Sequence, residues 1–209
     1  MLVKICGIQN KETLMCCENN NVNFFGMVFY PKSPRNITFE NASILQEISY
    51  ELNINGVGVF VDENIDELKK MIKDLKLKFV QLHGSEDEDY IKDLKKDDLK
   101  IIKSISINNN NDLNKIYRYH SVDYFLFDYK PLKSELPGGN SKSFDWNILK
   151  NLETKKPWFL SGGINTNNIE KIINDINPFG IDLSSGVEKG LGIKDNHIIN
   201  NFIRKLKNA

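Results

Sequence analysis

Eight short apolar runs recur along the chain at intervals of about 25 residues, and this repetition limits the fold more than any other feature. The runs are VKICGI (3–8), FFGMVFY (24–30), GVGVFV (56–61), FVQLHG (79–84), IIKSISI (101–107), YFLFDY (124–129), WFLSGG (158–163) and FGIDLSSG (179–186). They are rich in Val, Ile and Phe and too short for helices, so they read as strands buried on both faces. Amphipathic stretches lie between them. NIDELKKMIKDL puts Ile65, Leu68, Ile72 and Leu75 on one face, and NTNNIEKIINDI does the same with Ile169, Ile172 and Ile176. NKETLMCCENN, FENASILQEI, NDLNKIYRY, DWNILKNL and DNHIINNFIRKLK fit the same pattern, and Asn64, Asn111, Asp145, Asn165 and Asp195 suit N-capping. Strands alternating with helices imply a parallel sheet with right-handed crossovers. Eight such units without a linker predict one α/β domain over residues 1–209, a single closed (β/α)8 TIM barrel. An open doubly wound sheet is the runner-up, weakened by its width and by the lack of GxGxxG after the first strand.

Composition narrows the function classes. The chain has 28 basic and 28 acidic residues and a formal net charge of zero, so no general field draws it to nucleic acid or an anionic membrane. Cys6, Cys16 and Cys17 are too few for a disulfide framework, and no Cys/His spacing reads as a zinc site. Reduced thiols in the cytoplasm are the simple expectation. Neither a leader-like start nor a membrane-length apolar run is present in the sequence. Cys16 and Cys17 read as helix packing residues.

In barrels of this kind, chemistry sits at the C-terminal ends of the strands and in the loops that follow. Those ends supply Cys6, Arg35, Asp62, Gln81 with His83, Asp128, Ser161-Gly162-Gly163, and Asp182 with Ser184-Ser185-Gly186. Glycine-rich turns after the last two strands present backbone N–H groups to an anion, so a small phosphorylated ligand is expected there. A carboxylate following YFLF is costly unless paired, solvated in a site or functional, which singles out Asp128. Lys4 lies two residues before Cys6 and therefore shares its face of the strand. A buried Lys4–Asp182 pair is a structural alternative to a role in catalysis, and Arg35 reads equally well as a loop charge.

The motifs KICGI (4–8), SPR (33–35), GVFVD (58–62), VQLHG (80–84), FLFD (125–128), GGNSKSFDW (138–146), LSGGI (160–164) and DLSSGVE (182–188) follow one another through the chain. This ordered set resembles phosphoribosylanthranilate isomerase. The resemblance implies isomerisation of N-(5-phosphoribosyl)anthranilate to 1-(2-carboxyphenylamino)-1-deoxyribulose 5-phosphate, the third step of tryptophan synthesis from chorismate. It implies no cofactor and no metal, with a monomer or homodimer as the working form. It assigns Cys6 as general base and Asp128 as general acid. It gives Arg35 the anthranilate carboxylate and the turns with Gly162, Gly163, Ser184, Ser185 and Gly186 the phosphate. From their places at the strand ends, His83 is expected to contact the substrate, and Lys4, Gln81 and Asp182 to support the site. The chemistry asks for a protonated acid at the ribose ring oxygen and a thiolate at sugar C2. Asp128 is therefore expected to have a raised pKa, and Cys6 one drawn toward neutral by Lys4. After SSGVE the chain reads KGLGIKD where many members carry a proline–glycine pair, and Gly190 and Gly192 are the residues left to form that turn. The long segment after Asp128, YKPLKSELPGGN, is the candidate cover for a bound substrate. An epimerase or an indole-forming synthase of the same fold, or a non-catalytic phosphate-binding barrel, are the competing readings.

Overall fold

The computed structural model describes residues 1–209 apart from 96–97, 133–137, 140–141 and 151. Eight parallel strands close on themselves in sequence order: β1 (Leu2–Cys6), β2 (Phe24–Phe29), β3 (Asn55–Phe60), β4 (Phe79–Leu82), β5 (Lys100–Ile107), β6 (Tyr124–Tyr129), β7 (Trp158–Leu160) and β8 (Gly180–Leu183). β1 and β8 seal the barrel, with Lys4 in register with Asp182. The strands are shorter than the apolar runs, which leaves His83, Ser161 and Ser184 one residue beyond a strand and Asp62 two beyond β3.

Helices α1 (Lys11–Asn19), α2 (Phe39–Tyr50), α3 (Ile65–Asp74), α4 (Glu88–Leu94), α5 (Ile169–Asp175) and α6 (Asn196–Asn208) surround the strands. α4 has no counterpart in the sequence reading. It is only seven residues long and buries Ile91 and Leu94 alone, too few apolar positions to display a period. The helices expected after β5 and β6 are instead 3-10 turns, Asn110–Arg118 and Trp146–Leu149. Asn-rich sequence is a weak α-helix former, and its side chains bond the backbone locally instead. Asn109, not Asn111, caps the first of these turns, in a capping box with Asp112. Asn64, Asp145 and Asp195 cap as expected. Asn165 does not cap α5; its side chain accepts from Asn167 N–H and donates to the Gly163 carbonyl.

Two apolar layers hold the fold. The larger lies between sheet and helices and contains Ile5, Leu14, Cys17, Phe25, Leu45, Phe125 and Phe202. The smaller fills the barrel itself: Phe24, Val28, Val57, Val59, Ile102, Leu126, Phe159 and, near the upper rim, Cys6. The floor is aromatic, with Phe24 edge-on to Phe79 at 5.1 Å and to Phe159 at 5.9 Å between ring centroids. Since alternate residues of each strand point inward, the rows that carry the floor also carry Cys6, Gln81, Asp128 and Asp182 higher up. Outside the barrel wall, Lys103 donates to Glu86 at 2.8 Å and to the Gly84 carbonyl at 2.7 Å. Glu86 in turn accepts from Asp62 N–H, and Asp62 accepts from Ser85 N–H. Asp62 thus braces the turn after β4 and takes no place over the barrel mouth.

Candidate active site

The barrel mouth is a cleft with two lobes. One is walled by Val28, Tyr30, Val59 and Val61 and includes Cys6, Arg35, Gln81 and His83. The other is formed by Gly162, Gly163, Ser184, Ser185 and Gly186. Asp128, Asp182, Ser161, Ser184, Gly138 and Gly139 belong to both. The strand-end residues singled out from the sequence therefore gather at one end of the barrel, Asp62 excepted, with Lys4 just beneath the others.

Lys4 is fully buried on β1, and its Nζ donates to Asp182 Oδ1 at 2.9 Å. Burial alone would lower the Lys4 ammonium, but the Asp182 carboxylate and the Cys6 thiol beside it hold it above the ordinary lysine value. Burial pushes the Asp182 carboxyl up, with Lys4 opposing. Cys6, two residues on, shares the inward face of β1 with Lys4. Gly26, its neighbour on β2, makes the room: a Cβ there would stand 2.8 Å from the Cys6 sulfur and 3.2 Å from Lys4 Nζ. The thiol does not move toward neutral as expected. Burial pushes it up, and the pull of Lys4 and Lys194 does not overcome that loss of hydration.

Asp128 stands across the mouth at the end of β6, 4% exposed. Its Oδ1 accepts from Tyr129 N–H at 2.8 Å, and its Oδ2 lies 3.4 Å from His83 Nε2. Gln81 Nε2 lies 2.9 Å from His83 Nδ1, and the other ring nitrogen, Nε2, faces Asp128 and Ser104 Oγ. Gly138 reaches over this group from the segment after β6; a Cβ on it would meet His83 Nε2 at 3.2 Å and Asp128 Oδ2 at 3.3 Å. Gly138 and Gly139 thus already lie over the site, while residues 133–137 and 140–141 of the expected cover fall outside the described residues.

The glycine–serine lobe rests on close approach of two turns. Gly162 and Gly163 take φ of 86° and 72°, open to glycine at no steric cost. A Cβ on Gly186 would lie 1.9 Å from the Ile164 carbonyl oxygen, so the turn after β8 closes onto the turn after β7 only because it lacks a side chain. Gly186→Ala is expected to part the two turns. Competitive inhibition by inorganic phosphate should weaken about tenfold or more, roughly one lost charge-assisted contact. Unchanged phosphate inhibition in that variant would move the anion site elsewhere.

Sequence reasoning did not reach Glu188 and Lys194, which stand behind the two lobes and contact Arg35 and Ser184. β9 (Glu188–Gly190) and β10 (Ile193–Lys194) form a small antiparallel pair, with Gly192 at φ 78° in the turn. The pair buries both charges, at 4% and 3% side-chain exposure. Their signal was present in SSGVE and IKD, but a charge in a turn ordinarily reads as solvated.

A lobe of glycine and serine turns next to a recessed carboxyl and a thiol, on the loop face of an eight-stranded barrel, fits one class: (β/α)8 enzymes that rework phosphorylated small molecules. Comparison with known proteins makes the class specific. A family model described as N-(5'phosphoribosyl)anthranilate (PRA) isomerase matches residues 3–205, and the chain belongs to that family. It is 39% identical over 210 residues to the N-(5'-phosphoribosyl)anthranilate isomerase of Brucella canis, covering 99% of this chain and 94% of the relative. The crystal structure of phosphoribosyl anthranilate isomerase from Thermotoga maritima superposes with a TM-score of 0.88 at 33% identity, each chain covered completely. A structure of the isomerase in complex with reduced 1-(o-carboxyphenylamino)-1-deoxyribulose 5-phosphate gives a TM-score of 0.83 at 32% identity, again over the whole of both chains.

Proposed function

We propose that Cys6 and Asp128 are the base and acid of an Amadori rearrangement, and that the two lobes hold opposite ends of N-(5-phosphoribosyl)anthranilate. The chain is an isomerase that turns this aminoaldose into 1-(2-carboxyphenylamino)-1-deoxyribulose 5-phosphate. The observation that carries the assignment is the arrangement around the sugar's place. An apolar lobe with a cation suits a carboxylated aromatic ring, a glycine–serine lobe suits a phosphate, and Asp128 and Asp182 stand where the two meet.

Asp128 gives a proton to the ribose ring oxygen, the ring C–O bond breaks, and the nitrogen lone pair forms the C1=N bond of an iminium. Cys6 as thiolate removes the C2 proton, and those electrons make the C1=C2 bond of an enolamine. Protonation at C1 and loss of the C2 hydroxyl proton leave the ketone. C2 is oxidised as C1 is reduced within one molecule, so the electrons balance without a redox partner. His83, held by Gln81, turns its Nε2 edge toward Asp128 and orients the acid.

The test is a fluorescence assay. Substrate is formed in situ from anthranilate and a phosphoribosyl donor, and enzyme-dependent loss of anthranilate-type emission is followed; if emission does not change, the assignment fails. Arg35→Ala should raise KM about tenfold to a hundredfold with a much smaller change in kcat, since a charge-assisted contact made in ground and transition states alike is removed. A kcat defect with unaltered KM would end the carboxylate-anchor role. Every residue named comes from one chain, so a monomer and a homodimer alike carry complete sites. The same reading places residues 1–209 in one domain and the protein, with three free cysteines, in the cytoplasm. Among the described residues, no helix is long and apolar enough to cross a membrane.

A further inference from the structure

Arg35 is held more tightly than a loop arginine needs to be. Its Nε and Nη2 donate to the two carboxylate oxygens of Glu188 at 2.7 and 2.8 Å, and Nη2 also donates to the Gly139 carbonyl at 3.2 Å. A guanidinium has five N–H donors. Three are used here, and among the described residues the two on Nη1 have no acceptor. Glycines fence the side chain in: a Cβ on Gly7 would stand 2.9 Å from Arg35 Cδ, and one on Gly139 2.3 Å from Nη1.

Glu188 is itself fixed from the other side. It accepts from Gly192 N–H at 3.1 Å and from Lys194 Nζ at 2.5 Å. Lys194 also donates to the carbonyl and hydroxyl of Ser184, at 3.2 and 3.3 Å, and the Ser184 hydroxyl donates to the Cys6 carbonyl at 3.2 Å. Arg35, Glu188 and Lys194 have side-chain exposures of 6%, 4% and 3%. Two cations and one anion leave this buried cluster with one formal positive charge in excess, and a buried charge is costly unless it is paired. The cluster is short of one anion, and among the described residues its unused donors belong to Arg35 Nη1.

We propose that Glu188 is a positioning residue that fixes the direction of the Arg35 fork, so that the apolar lobe selects arylamines bearing an ortho carboxylate. Lys194 ties this setting to the turn that holds the phosphate, so the two anionic ends of the substrate are gauged against one rigid cluster. The inference rests on Arg35 as the carboxylate anchor. Glu188 never touches the substrate; it acts through Arg35.

The test uses two stable ligands, the 1-arylamino-1-deoxypentitol 5-phosphates made from anthranilate and from aniline, which differ only in the carboxylate. Their Kd values are measured calorimetrically on the parent enzyme, Glu188→Gln, Arg35→Ala and the double variant. Glu188→Gln should weaken the carboxylated ligand about tenfold and the aniline ligand less than about twofold. The double variant should bind the carboxylated ligand no more weakly than Arg35→Ala alone. Should Glu188→Gln fold poorly, Glu188→Asp keeps the charge but shortens the reach, and the same split is expected at smaller size. Equal weakening of both ligands, or additive losses, would overturn the inference, because a merely structural glutamate acts on both. If Arg35→Ala separates the ligands and Glu188→Gln does not, the inference alone falls. If Arg35→Ala fails to separate them, the anchor assignment falls and takes the inference with it.

Discussion

Asp128→Asn is expected to lower kcat about 10²–10⁴-fold, the usual range for removing a positioned general acid. The asparagine is isosteric and its side-chain oxygen still accepts from Tyr129 N–H, so the substitution removes the transferable proton and little else. Stability and phosphate binding should be nearly unchanged. Cys6→Ser should cost as much. A serine hydroxyl does not ionise in this range, and the smaller oxygen fits easily beside Gly26. In the wild type the two groups titrate against each other, since rising pH forms the thiolate but removes the proton of the acid. Burial holds the thiol above its ordinary value, and the reactive form is the deprotonated one. In Asp128→Asn the opposing titration is gone, so the residual kcat/KM should climb with pH across the neutral range, about tenfold per pH unit below the thiol pKa. Full turnover in either variant, or a flat residual profile of Asp128→Asn from pH ~6 to ~8, would remove the acid–base pair.

Lys4→Met should destabilise the fold by about 3–5 kcal/mol, the usual cost of stranding one member of a buried ion pair. Lys4 has no exposure and Asp182 has 5%, so water does not replace the missing ammonium. The double variant Lys4→Met/Asp182→Asn should recover most of the loss, because the uncompensated charge is gone. Denaturant midpoints of the four proteins give the comparison. A single-variant loss below about 1 kcal/mol would mean that the pair is solvated and contributes as little as a surface bridge. If the double variant is as fully active as the parent, Lys4 serves the barrel and not the thiol.

The strand ends were legible because a closed parallel barrel demands two things of its sequence. Strands buried on both faces read as unbroken apolar runs, and any polar residue at the end of one stands out. Cys6, Asp128, Asp182 and Ser184 were visible for that reason. Helical connections were less legible where the local sequence worked against the period: α4 is short, and the Asn-rich segment after β5 winds as a 3-10 turn. Gly26 passed unnoticed because the lack of a side chain leaves no pattern, although it shapes the space around the thiol. Glu188 and Lys194 were hidden for a different reason. Their meaning lies in contacts with Arg35 and Ser184, the first of them 153 positions away in the chain, and no local period reports such a contact. The rise of the Cys6 pKa was likewise out of reach, since the sequence shows which cations are near but not how completely water is excluded.

The Lys4–Asp182 contact joins the first strand to the last, across 178 positions of sequence. During synthesis Lys4 emerges early and its counterion among the final segments. A growing chain therefore carries its thiol beside an unpartnered ammonium until the eighth strand docks. Ring closure and the completed electrostatic setting of the thiol are then a single event. Unfinished or truncated chains should be inert toward substrate however much of the sheet they have formed, and two complementary fragments should regain activity only when β8 finds β1.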